Sequence, residues 1–408
     1  MSFVRFLREN APFLLAGTLL SFLSSFGQTF FISIFGGEIR AEFGLSDGEW
    51  GWIYTAGTGG SAFVMLFAGG LTDRFRARSL GAVVVLSLAL FCVAMSLNSY
   101  VLLLPLVIFG LRFFGQGMTS TVSVVAMARW FVATRGRAIA IAALGFSLGE
   151  AVLPLTFVWL KHFVDWRTLW LVAAVVCVLS VPLLLRLLRL ERQPAGEHDD
   201  DASAAGIDNR HWTRRQALGL PIFWLLMPLI MMTPALNTAF WFHQVHFAGV
   251  KGWDHISLVA ILPLGTLSLV LSTQLFGWAL DKWGATRLLP VYLVPFALGL
   301  LAHWWAGSVW VSAVGVVLMG ISGGGQSTLP AACWAEFFGT RHIGAIKSTA
   351  VSMMVLASAV GPGVTGALID AGVALPDQLL FSSLMVLGLC LAVVLPVRNA
   401  RARLSVAL

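Results

Sequence analysis

An all-helical membrane protein, with twelve transmembrane helices in two six-helix halves, is predicted by three features of the sequence. Of 408 residues, 58% are apolar and only 11% charged, with a mean hydropathy of +0.86. Such a chain has too few polar side chains to clothe a water-soluble globule. The apolar residues fall in runs of about 20, the length a helix needs to cross the hydrocarbon core. Two short motifs also recur in the two halves at nearly one offset.

Dividing the chain at charged, Pro-rich and Gly-rich interruptions gives spans at 12–35, 50–71, 79–97, 100–123, 138–160, 167–189, 221–247, 256–280, 287–306, 309–333, 344–369 and 377–396. The first follows MSFVRFLREN without a small-residue cleavage site, which marks it as a retained span and not a removable signal. Glycine, 41 residues, suits close helix approach, and tryptophan, 16 residues, suits the membrane boundary. The longest polar interruption, 191–216, carries an acidic cluster and a basic end. It reads as a solvated cytoplasmic linker between a bundle at 1–190 and a second at 217–408.

Basic residues are retained on the cytoplasmic side of short loops. With both termini inside, 21 of the 26 Lys and Arg fall inside, against Arg40, Lys161, Arg167 and Lys251 outside and Arg112 within a span. This bias accounts for the net charge of +7 without nucleic acid. A multi-pass protein of a bacterial inner membrane is expected. Cys92, Cys177, Cys333 and Cys390 all lie in apolar runs without CxxC or His-Cys spacing, so packing thiols are expected in place of a metal site or disulfides.

GGLTDRFRARS follows span 2 and GWALDKWGATR follows span 8, so that Gly69-x3-Asp73-Arg74 is echoed by Gly277-x3-Asp281-Lys282. FGLRFFGQG and MGISGGGQS make a second echo, matching Gly110 and Gln116 to Gly320 and Gln326. These residues resemble the major facilitator superfamily, whose loop motif reads approximately G-x3-D-R/K-x-G-x-R/K-R/K after spans 2 and 8. The first copy has Arg76 where glycine is usual; the second keeps Gly284. The resemblance covers the whole chain and implies a secondary transporter working by alternating access. The six motif residues then form a cytoplasmic gate, with glycine allowing close helix approach and aspartate accepting from a helix N-terminus. Within the superfamily, residues 128–154 resemble the entry to span 5 in monocarboxylate and oxalate-formate carriers. The charged pair that animal-type monocarboxylate carriers place in span 8 is missing, because Ile256 to Leu280 contains no charge.

Arg112 is the only basic residue deep in a span, and Glu150 in span 5 lies at a similar depth. The guanidinium offers a bidentate site to an anion, and Glu150 competes for it until protonated, which would couple anion to proton. The bland reading is a permanent structural ion pair or a proton-relay arginine. Span 7 adds Asn237, Trp241 and His243, with His246 less favoured; Gln28, Tyr54 and Gln326 are further cavity candidates. Two histidines three apart without a companion ligand do not argue for a metal.

The expected function is proton-coupled transport of a small, monocarboxylate-like organic anion. Export of an amphipathic drug or metabolite is the alternative, and a non-transporting receptor a lesser one. No nucleophile-base constellation or Walker motif points to an enzyme or an ATP-driven pump. No cofactor is expected. The expected partners are a small substrate, protons and lipid, with one chain sufficient.

Overall fold

The computed structural model describes residues 3–68, 71–131, 134–189, 206–339 and 342–405, and these form helices without a strand. Helices stand at all twelve expected positions. In the first half they are α1 (Phe3–Leu23), α2 (Asp47–Ala68), α3 (Ala77–Leu97), α4 (Val101–Trp130), α5 (Arg135–Leu160) and α6 (Trp166–Leu187). In the second they are α7 (Pro221–Phe242), α8 (Leu262–Trp283), α9 (Val294–Trp305), α10 (Val309–Phe338), α11 (Ile343–Asp370) and α12 (Leu375–Ala392). Ten helices among the described residues are long and apolar enough to cross a membrane. The other two positions have local explanations. Glycines and the carboxylates of Asp47 and Glu49 dilute α2, and a turn at 289–293 leaves α9 only 12 residues long.

The chain divides into two compact units, Met1–Glu197 with Trp241–His246, and His198–Phe240 with Phe247–Leu408. In the first, α1 packs on α5, α2 on α4 and α3 on α6; in the second, α8 and α9 pack on α10 and α9 on α12. Small residues set these approaches. A Cβ on Gly145 of α5 would lie 2.0 Å from the Thr18 carbonyl oxygen of α1, and one on Gly361 of α11 would lie 2.4 Å from the Ala235 carbonyl oxygen of α7. Gly57 on α2 and Gly265 on α8, 208 positions apart, similarly face Pro105 and Val316. The repeat is therefore carried by matching close contacts as well as by motifs.

Two departures from the expected division have physical causes. The helical path is interrupted at His243, and Trp241–His246 packs with the first unit. Phe242 stacks on Trp50 at 5.4 Å and meets Tyr54 at 4.5 Å, while Gln244 Nε2 donates to Ser33 Oγ at 2.7 Å. The second departure concerns the linker, whose residues 191–205 lie outside the described residues. Residues 206–216 stay mostly exposed but are pinned to the second unit at a few points: Ile207 is buried, the Trp212 amide donates to the Phe338 carbonyl at 3.0 Å, and Asp208 pairs with Arg403.

Candidate functional site

The first unit contains a broken membrane helix. α1 ends at Leu23, a 3₁₀ turn covers Ser24–Gly27, Gln28 is extended with ψ 154°, and a short helix resumes at Thr29–Ile32. The break sits where α1 crosses α4 almost in backbone contact. A Cβ on Gly27 would lie 2.1 Å from the Leu111 carbonyl oxygen and 2.6 Å from Gly115 Cα, so only glycine fits. Opposite this crossing, α4 is wound as a π-helix over Leu111–Thr119. Such wider turns recur at functional sites.

Arg112 bridges the two irregular segments. Its Nη1 donates to the Gly27 carbonyl at 3.2 Å and to Thr29 Oγ1 at 3.2 Å. Thr29 Oγ1 in turn lies 2.5 Å from the Tyr54 hydroxyl, and the guanidinium sits 5.5 Å from the Tyr54 ring centroid. The side chain is 2% exposed, and its Nε is buried without a hydrogen-bond partner. Among the described residues no carboxylate reaches Arg112. The expected pairing with Glu150 is thus not formed: that half-buried residue lies on α5, while Arg112 spends its bonds on the broken helix. An uncompensated cation in a membrane interior is costly.

Of the other expected site residues, Gln28 is the extended residue of the break and is buried, and Tyr54 is fully buried beside Arg112. Trp241 and His243 are buried in the first unit, whereas half-buried Asn237 belongs to the second. Gln326 has a structural task there. Pro234 lacks an amide proton, which frees the carbonyl four residues back. Gln326 Nε2 donates to that carbonyl, Ile230, at 3.2 Å, and its Oε1 accepts from the Tyr292 hydroxyl at 2.8 Å. Both halves therefore use a polar side chain of the fourth helix to satisfy a carbonyl of the first: α4 to α1, and α10 to α7.

At the end that the charge bias places outside, Asp47 at the start of α2 receives three groups. Arg40 Nη1 lies 2.6 Å from it, His246 Nδ1 3.1 Å and His243 Nδ1 3.5 Å. Burial raises the Asp47 pKa, but the two imidazoles and Arg40 more than offset this and hold it well below the usual carboxylate range. Nearby, Lys161 pairs with Glu38, and Arg167 Nε bonds Glu42 at 3.0 Å. That bond lowers the Glu42 pKa.

At the opposite end, Gly69 and the Asp73 side chain lie outside the described residues, and Arg74 is exposed. Gly277 does not serve close approach, because a Cβ there meets open space. Asp281 and Lys282 are exposed, and Lys282 lies 5.1 Å from the Trp278 ring. The expected helix-capping role falls to Glu336 of α10, which accepts from the Ala285 amide at 2.9 Å and from Thr286 Oγ1 at 2.9 Å. The motif's irregularity has a backbone explanation. Gly284 has φ +77°, a region that favours glycine, whereas Arg76 has φ −66° and tolerates any side chain.

Sequence reasoning missed Gly27, Thr29, Asp47, Tyr292 and Glu336. Pro234 was a usable signal, since a proline inside a membrane helix demands a donor for the freed carbonyl. Asp47 was another, as an acid at a span boundary beside Arg40.

Twelve helical positions, repeated close contacts and a buried charge beside a broken helix define a membrane carrier of the duplicated six-helix class. The chain belongs to the Major Facilitator Superfamily, whose family model matches residues 17–362. A protein of Thermoproteus tenax, described as an uncharacterized 38 kDa protein in the 23S RNA operon, is 27% identical over 275 residues. That match covers 67% of this chain and 66% of the relative, just under two thirds of its length. Among solved structures, a bacterial homologue of the human lysosomal transporter Spinster, inward-facing and occupied, aligns with TM-score 0.68 and 18% identity over 97% of this chain and 96% of that one. The nucleoside transporter NupG aligns with TM-score 0.69 and 13% identity, over 95% and 98% of the two chains. At these identities the likeness is one of fold. Membership of the family makes the chain a multi-pass membrane protein of a transporter superfamily.

Proposed function

We propose that this transporter moves a small organic anion, monocarboxylate-like and coupled to protons, by alternating access. The carrying observation is Arg112: a guanidinium 2% exposed within a span, with a buried Nε that has no partner and no carboxylate within reach among the described residues. An anionic cargo would supply the missing charge, with Gln28, Tyr54, Asn237, Trp241 and His243 as candidate contacts and Gln326 acting through the shape of α7. One buried cation suits one carboxylate better than two. Nucleosides are uncharged, so a NupG-like cargo would leave Arg112 uncompensated.

Glu150 is the proposed proton-linked carboxyl, acting on α5 without a direct bond to Arg112. The motif residues Gly69, Asp73, Arg74, Gly277, Asp281 and Lys282 are the proposed cytoplasmic gate, completed by Glu336. Both termini are assigned to the cytoplasm of a bacterial cell. A single chain suffices, with protons and surrounding lipid as its other partners.

Uptake of labelled monocarboxylates, dicarboxylates and nucleosides into proteoliposomes, with and without an inward proton gradient, tests the reading. Saturable monocarboxylate uptake stimulated by the gradient is expected. Uptake confined to nucleosides or to cationic amphiphiles would refute it.

A further inference from the structure

The Asp47 cluster shares His243 with the proposed cargo contacts, while its other members, Asp47, Arg40 and His246, are not among them. It joins four groups from three stretches of chain: Asp47 at the head of α2, Arg40 from the short helix Gly36–Phe43, and His243 and His246 from the segment that crosses into the first unit. His243 is 2% exposed, whereas the His246 side chain retains 22% exposure, so solvent protons reach the cluster through His246.

We infer that Asp47, His243 and His246 form a proton-binding clasp that fastens residues 241–246 onto the first unit more tightly in acid. A carboxylate only accepts, so each Nδ1 facing Asp47 must carry a proton and the second proton enters at Nε2. That step turns a neutral imidazole beside a carboxylate into an imidazolium beside a carboxylate, which adds attraction. Asp47 remains ionised where imidazoles titrate, because its pKa is depressed. The surrounding charges do not reverse the sign. Among the described residues Arg40 is the Lys or Arg paired with Asp47, Lys161 and Arg167 are paired with Glu38 and Glu42, and Glu49 accepts the Ser46 amide at 2.9 Å.

The segment's remaining anchors do not titrate in this range. Among them are the Phe242 ring against Trp50 and Tyr54 and the Gln244 bond to Ser33. The clasp therefore has a constant part and a proton-dependent part, and substitution separates them.

Hydrogen exchange of the full-length protein in lipid nanodiscs, at pH 5.5 and 7.5 and corrected for intrinsic rates, tests the clasp without any substrate. Wild type is expected to protect peptides covering 241–246 about threefold more at the acid pH, the scale of a partly exposed ion pair. His243→Gln with His246→Gln removes that difference while keeping a donor at each position. Asp47→Asn removes it as well and lowers protection at both pH values. Equal protection of wild type at the two pH values overturns the inference, as does a pH difference that survives in the double glutamine variant. Neither result touches the transport reading, which stands on uptake.

Discussion

Arg112 is where residue chemistry most constrains the protein. Nη1 is committed to Gly27 and Thr29, and the Nε edge is left over, so a guanidinium can hold the broken helix and a carboxylate together. Lysine keeps the charge but has no second edge. Arg112→Lys should therefore keep residual anion uptake with a raised KM, and Arg112→Gln should lower uptake on the order of tenfold or more, the scale of a lost charge-assisted hydrogen bond. Glycine provides the matching backbone test. Gly27→Ala should destabilise the protein by about 1–3 kcal/mol through overpacking against Leu111, read as a lowered Tm in detergent. Gly284→Ala should cost roughly 1–2 kcal/mol because of its positive φ, whereas Arg76→Ala at the equivalent position should leave Tm nearly unchanged. Asp47 adds a pH dependence of known sign. With its pKa depressed in the fold, its stabilising contribution is complete above the ordinary carboxylate value near 4 and fades only as pH falls further.

Among elements, the helix positions were legible because lipid imposes length and apolarity on every span. Breaks within spans were not. The interruption of α1 at Gln28 depends on its crossing with α4, a contact between residues 85 apart in the chain, and the apolar run passes through it unchanged. Prolines are the exception, since Pro234 announces a freed carbonyl even though its donor, Gln326, lies 96 residues from Ile230. Removing that donor leaves a buried acceptor unpaired. Gln326→Leu should cost about 1–3 kcal/mol and lower Tm, and Tyr292→Phe, which removes only the orienting hydroxyl, should cost less. The expected Arg112–Glu150 pair failed for the same reason as the α1 break. Depth along a helix can be counted from sequence, but the direction in which a side chain turns depends on packing that the sequence does not print.

At the scale of the whole molecule, duplication was legible in Gly-x3-Asp and Gly-x5-Gln, and the structure extends it to Gly57 with Gly265 and to Gly145 with Gly361. The assignment of residues 241–246 to the first unit was not legible, because it rests on aromatic stacking and ion pairs formed across the chain. Family and fold follow from these repeated features, but cargo does not, and the proposed cargo rests on a single side chain, Arg112. Counterflow of a labelled monocarboxylate into proteoliposomes, comparing wild type with Arg112→Gln, tests the central claim most directly. The account predicts saturable exchange by wild type, competed by unlabelled monocarboxylate, and its collapse in a variant that remains folded. Undiminished exchange by Arg112→Gln would contradict it.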